Sequence, residues 1–174
     1  MEMQNRRVVA IDTGQFRKAL GRFATGVTVV TAVSPEGTMI GLTVNSFNSV
    51  SMDPPLILWS VGRNSRRGQD LMRAKGFAVN VLAGNQLDIA NRFSRWLETP
   101  FDGVDYRLTA NGLPVLDRAV AHFECEHHAQ HDGGDHVILI GRVLDYSLGD
   151  GSALVYAGGR FTALDVHSRP NVPD

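Results

Sequence analysis

Between Thr13 and Phe23 the apolar residues Phe16, Ala19, Leu20 and Phe23 recur at i, i+3, i+4 and i+7, one stripe of a helix. Asp12 or Thr13 can cap this helix and Gly26 can stop it. The period then changes. Residues 27–33 form a continuous apolar run, as in a strand covered on both faces. "PEG" at Pro35 to Gly37 reads as a turn and residues 39–43 as the hairpin partner. Further strands are expected over residues 56–61, 77–82, 119–129, 136–146 and 153–156. Two short helices interrupt them, from just after Ser65 to about Ala74 and from Asn85 to about Phe93.

Strands outnumber helices and follow one another through short polar links. A doubly wound parallel sheet needs regular strand–helix alternation, so the pattern predicts a mainly β chain with short helices, folded as an antiparallel barrel. At 174 residues one domain is the simplest division, and folding at this length buries roughly 70% of the surface of the unfolded chain. The expected domain runs over residues 13–166, with an N-terminal extension over 1–12 and a frayed tail, "HSRPNVPD", over 167–174.

A net charge of −1 leaves no basic footprint for nucleic acid or an anionic membrane surface. No apolar run reaches transmembrane length and none near the N-terminus suits a signal peptide. Cys125 is the single cysteine, which excludes an internal disulfide and a thiolate zinc site and fits a reducing, cytoplasmic setting. No glycine-rich dinucleotide motif, Walker motif or serine nucleophile elbow is present, so any nucleotide binds without a Rossmann crevice.

Candidate chemistry concentrates in "GLTVNSFNSVSMDPPLILWSV", Gly41 to Val61, an apolar stretch carrying Thr43, Asn45, Ser46, Asn48, Ser49 and Ser51. Residues 45–51 could be a loop whose hydroxyls satisfy its own backbone. Alternatively these groups surround a ligand rich in ring carbonyls, ring nitrogens and phosphate. In "GRNSRRG", Asn64 and Ser65 stand at a helix start with Arg66 and Arg67 in its first turn. Cations there oppose the helix macrodipole, a conflict that a bound phosphate would remove and that two solvated arginines would merely tolerate. Arg92, in "IANRF", reads as favourable charge at a helix C-terminus.

Five of the six histidines lie between His122 and His136, beside Glu124, Glu126, Asp132 and Asp135. His127 and His131 have the spacing of a helical zinc pair, but "AVAHFECEHHAQH" alternates like a strand. On a strand, positions four apart are roughly 13 Å apart, too far to share one zinc, and no metal site is predicted.

Taken in order, "FRKALGRFATGVTVVTA", the "NSF", "SVS" and "DPPL" elements of Asn45 to Leu56, "NS" before a helix, "FAVNVL", "RF" at Arg92, "GLPVL", "GGDH" followed by "GRV", and a closing "GGRF" resemble the short-chain flavin reductases, the reductase components of two-component flavin-dependent monooxygenases. The resemblance runs from about Phe16 to Leu164. It implies an antiparallel split β-barrel, a homodimer, and use of NADH or NADPH to reduce FMN or FAD by hydride transfer from nicotinamide C4 to flavin N5. Reduced flavin would then pass to a separate monooxygenase. It also implies roles: Gly41, Leu42, Thr43, Asn45 and Ser46 line the isoalloxazine and ribityl chain, Ser60 and Val61 follow the flavin, and Ser65, Arg66 and Arg92 hold its phosphate. His136 borders the nicotinamide as the catalytic residue, and Gly159 and Arg160 contact the nicotinamide nucleotide, although Ala157 and Gly158 replace an aromatic and an arginine there. Two alternatives remain open, a flavin-retaining electron carrier of the same fold and a metal-dependent enzyme using the histidines.

Overall fold

The computed structural model describes residues 10–164. The expected extension and tail therefore lie largely or wholly outside the described residues. The first helix, α1 (Thr13–Leu20), is capped by Asp12, whose carboxylate accepts from the backbone N–H groups of Gly14 and Gln15 at 2.8 and 3.0 Å. It ends three residues before the sequence pattern does, because the chain tightens into turns there: Arg22 N–H donates to Ala19 and Phe23 N–H to Leu20. No residue of α1 is buried.

After a two-residue strand β1 (Thr25–Gly26) come β2 (Thr28–Val33), β3 (Met39–Val44), β4 (Asn48–Met52) and β5 (Pro55–Gly62). Helix α2 (Arg66–Arg73), β6 (Gly76–Val81) and α3 (Leu87–Ser94) follow. Strands β7 (Tyr106–Leu108), β8 (Pro114–Leu116), β9 (Ala121–Gly133), β10 (His136–Leu148), β11 (Leu154–Ala157) and β12 (Arg160–Ala163) complete the described residues. All strand pairs are antiparallel. The main sheet has the order β3-β2-β6-β9-β10-β5-β4, with smaller sheets β1-β11-β12 and β7-β8.

The segment expected as a loop over 45–51 is half strand. β4 pairs with β5 across the two-residue turn Asp53-Pro54, with a bulge at Val50, and Asn45 to Phe47 alone remain as connector. Residues of β4 are mostly exposed on both faces, so no apolar alternation marks them in the sequence. The hydrogen-bonded order is open at its two edge strands, β3 and β4, and that three-residue connector joins them. Ser46 spans the gap: its hydroxyl accepts from the Ser60 N–H at 2.9 Å and donates to the Ser60 carbonyl at 3.0 Å. One side chain thus continues the β4–β5 ladder past the end of β4.

β2 is buried on both faces, its valines and alanine interrupted only by Thr28 and Thr31, whose hydroxyls donate to backbone carbonyls. One face joins Trp59, Leu71, Phe77, Val79 and Leu139 in the main core; the other meets Phe93, Phe101, Leu116 and Leu154. Trp59 is fully buried edge-on to Phe77, with ring centroids 5.7 Å apart, so it is a core residue. Asn80 satisfies its buried amide completely, donating to the Val29 carbonyl and Thr31 hydroxyl and accepting from Leu116 N–H. Burial, with Glu124 adding to it, pushes the Cys125 thiol up to about 12, so it is inert as a nucleophile.

Candidate functional site

Eight of the residues singled out from the sequence come together. Leu42, Thr43, Asn45 and Ser46 from β3 and its exit, Ser60 and Val61 from β5, Ser65 at the start of α2 and His136 at the start of β10 line one cleft of about 290 Å³. Val44 and Gly62 complete its wall. The cleft opens past Thr43 and Asn45 into a recess of about 340 Å³ bounded by Tyr156 and Phe161. Together they reach the size of small-molecule sites, roughly 300–1,000 Å³.

Thr43 donates its hydroxyl to the Ala90 carbonyl at 2.8 Å, which ties β3 to α3. Ser65 caps α2 by accepting from Gly68 N–H at 3.1 Å, so its own O–H is available to donate to a ligand. Gly68 lets α2 sit close: a Cβ there would lie 2.4 Å from the Val61 side chain. Sequence and packing agree here, since the local cap fixes where α2 begins and the glycine fixes how near it lies to β5.

His136 is half-exposed, and its Nδ1 lies 2.7 Å from the Asp135 carboxylate, which that hydrogen bond holds below its usual range. With Nδ1–H donating to Asp135, Nε2 is left on the side of Gly62. Arg63, which the sequence reading passed over, organises this turn. Its backbone N–H donates to the Asp135 carbonyl at 3.0 Å, its Nε to the Gly134 carbonyl at 2.7 Å, and its guanidinium pairs with Asp132. The only hint in the sequence is its place one residue after β5.

The other predicted residues fall outside the cleft. Gly41 faces Phe93, whose ring atoms would lie 2.5 Å from an added Cβ, and its carbonyl accepts from Arg67. Arg66 is exposed at the first position of α2 with its guanidinium 5.9 Å from the Trp96 ring centre. Arg92 donates to the carbonyls of Pro100 at 2.6 Å and Thr99 at 3.3 Å. Gly159 lines a separate groove beside α1, and Arg160 opens β12 on the surface. Arg67, its neighbour in "RRG", is buried and donates to the carbonyls of Gly41, Arg95 and Leu97.

A larger cavity, about 800 Å³, lies elsewhere, lined by Arg107, Arg118, His122 and Ser147 with Asp117 and Asp150 among its walls. Of the candidate residues it gathers only His122, and none of those expected to hold the flavin. The histidines disperse: His122 is buried against Arg107 and Ser147, and His127 packs 5.1 Å from Phe77. Burial lowers the pKa of both, aided for His122 by Arg107. Among the described residues no three His, Cys, Asp or Glu side chains are grouped to hold a metal, and no helix is long and apolar enough to cross a membrane.

The profile of the flavin reductase like domain matches residues 20–165. FMN reductase (NADH) SmoA of Agrobacterium fabrum is 49% identical over 146 residues, covering 84% of this chain and 83% of that protein. HsaB of Rhodococcus jostii, the reductase subunit of a flavin-dependent monooxygenase, is 36% identical over 157 residues, covering 90% and 80%. Among solved structures, the NADH:FAD oxidoreductase SgcE6 of Streptomyces globisporus, in complex with NAD and FAD fragments, superposes with a TM-score of 0.86 at 36% identity over 97% of this chain and 100% of that one. The ordered motifs, the antiparallel architecture and these matches over most of the chain agree, and the chain belongs to the flavin reductase like domain family.

Proposed function

We propose that this chain is an NAD(P)H:flavin oxidoreductase that supplies reduced FMN or FAD to a separate monooxygenase. The observation that carries the reading is the cleft itself, where residues as distant in sequence as Leu42 and His136 meet around hydroxyls, an amide and open backbone. The names of its relatives, an FMN reductase (NADH) and the reductase subunit of a monooxygenase, support the same class of reaction. We read the fold as a split barrel, with the Asn45 to Phe47 connector and the Ser46–Ser60 bonds bridging the split.

The cleft fits a flavin by the chemistry of its donors. Ser65 O–H and the exposed Arg66 suit the phosphate at the start of α2, where an anion also relieves the charge conflict of Arg66 with the helix dipole. Asn45 and Ser60 are placed for the polar edge of the ring and its side chain, with Leu42 and Val61 as apolar wall. A flavin held there by Ser65, Arg66, Asn45 and Ser60 would supply the redox chemistry, that of a hydride acceptor for a nicotinamide donor. The protein's part is to hold the two rings in register, exclude water and orient donors toward developing charge, which needs no general base. His136, with its Nδ1 held by Asp135, directs Nε2 to the nicotinamide side.

The apolar stripe of α1, with Phe16 52%, Leu20 60% and Phe23 76% exposed, and the exposed Met52, Leu144, Tyr146 and Leu148 suit a homodimer that covers them. A reduced, cytoplasmic setting suits the buried lone thiol.

His136→Ala is expected to raise KM for the nicotinamide donor more than KM for flavin; equal, unchanged values for both would remove His136 from the site. Arg63→Ala should do the same more weakly by loosening the turn that carries His136. Its exposed ion pair contributes under about 1 kcal/mol to stability, so thermal melting should barely move while donor KM rises several-fold, and an unchanged donor KM would show that the turn holds without it. The reading as a whole is tested by NADH and NADPH oxidation, followed by loss of their near-ultraviolet absorbance, with metal-free protein and added FMN, FAD or riboflavin. Flavin-dependent oxidation is expected. No oxidation, with flavin retained through purification, would favour an electron carrier.

A further inference from the structure

α1 presents an unusual pair of faces. Its apolar stripe is exposed, with Leu20 at the edge of a groove of about 640 Å³, and the opposite face, Gly14, Arg17, Lys18 and Gly21 at i, i+3, i+4 and i+7, forms one wall of that groove. Arg22 and Phe23 extend that wall, and Tyr156 with the Gly158-Gly159 turn forms the opposite one. The two walls are tied together, since Gly158 N–H donates to the Gly21 carbonyl at 2.7 Å. No acidic side chain lines the groove. Among the described residues no carboxylate lies within 4.0 Å of Arg17, Lys18 or Arg22.

The groove adjoins the candidate flavin cleft at Asn45. Asn45 lines both, and Tyr156 and Asn45 also bound the recess between them. Three cations without carboxylate partners beside a groove of this size suit an extended anion with an apolar ring, for which Phe23 and Tyr156 offer aromatic surface. The flavin phosphate, in the reading above, lies at the other end of the cleft with Ser65 and Arg66. We infer that the basic face of α1 holds the diphosphate of the nicotinamide dinucleotide donor, which reaches past Asn45 to bring its nicotinamide into the cleft. This inference rests on the reductase reading and adds the donor's phosphate subsite to it.

The test is the variant Arg17→Ala/Lys18→Ala/Arg22→Ala, whose alanines favour the helix, with Lys18→Glu as a second variant should the triple one fail to fold. NADH, FMN, FAD and a phosphate-free donor, N-benzyl dihydronicotinamide, are compared. Loss of charge-assisted bonds to the diphosphate should raise KM for NADH about tenfold or more. KM for FMN and FAD should not change, and oxidation of the benzyl donor should match that of the wild type. An unchanged NADH KM in a variant of an active wild type overturns the inference. So does a rise in KM for FAD with none for NADH, which would give the groove to the flavin's adenylate. A wild type that oxidises neither NADH nor NADPH with any flavin would sink the reductase reading instead. Calorimetric titration with NAD⁺ then decides the groove, loss of binding in the variant supporting it and equal binding, or none to either, overturning it.

Discussion

Arg67→Ala is expected to cost about 2–3 kcal/mol of stability and to weaken flavin binding with it. Arg67 is only 6% exposed, and its guanidinium links α2 to three separate carbonyls, those of Gly41 on β3 and of Arg95 and Leu97 beyond α3. It also lies 5.1 Å from the Trp96 ring centre. Burial lowers its pKa, which marks the desolvation cost that these bonds offset. Hydrogen bonds from a charged donor each contribute about 1.5–3 kcal/mol, and removing the donor leaves the Gly41 carbonyl short of a partner inside the fold while the exposed Arg95 and Leu97 carbonyls rehydrate. For a chain of this length that corresponds to a fall in Tm of roughly 5–10 °C. Arg67→Lys should recover only part, because a single ammonium cannot span the planar fork. The denaturant midpoint measures it; a shift below about 0.5 kcal/mol would mean that the loop is held by its other contacts.

Gly68→Ala should give the second large effect, and one that reads directly on the site. The added Cβ would lie 2.4 Å from Val61 Cγ2 and 3.0 Å from Ser65 Cβ. Val61 is β-branched and buried, so it has little room to turn away. Overpacking of this kind costs about 1–3 kcal/mol, from which about 1 kcal/mol is recovered because alanine is the better helix former. The lasting consequence is geometric: α2 must move off β5, and Ser65 and Val61, which line the cleft on either side of the clash, separate. Flavin affinity measured by fluorescence quenching well below the melting temperature should fall about tenfold or more, the equivalent of about 1.4 kcal/mol. Unchanged affinity would show that the spacing of α2 and β5 does not set the cleft.

What could be read from the sequence was what local chemistry dictates. The Ser65 cap, the α2 start, the buried β2 run and the strands around His122 and His136 follow from caps, periodicity and turn residues within a few positions. β4 escaped because its residues are largely exposed on both faces and its register rests on a bulge and a tight turn. β1, β7, β8 and β12, of two to four residues, are too short to show a period. Within the site, Gly41, Arg92 and Arg67 mark the limit of sequence reading. Gly41 is a glycine because Phe93 packs against it, and the two arginines hold backbone carbonyls contributed by other segments. Such tertiary partners, 8 to 52 residues away, leave no trace in a local pattern.

The two faces of α1 carry the same lesson. Its apolar stripe is real, but in the single chain it is exposed, so a pattern that ordinarily signals a core here marks an apolar surface. The basic residues between were invisible as a site until Gly158 and Tyr156 were seen to face them.

The central claim is that the cleft between β3, β5, α2 and the turn before β10 holds the flavin. A crystal structure of the protein grown with FMN tests it most directly. The account predicts the ring between Thr43 and Val61 with the phosphate against Ser65 and Arg66; FMN seated instead in the larger cavity beside Arg107, His122 and Ser147, with the cleft empty, would contradict it.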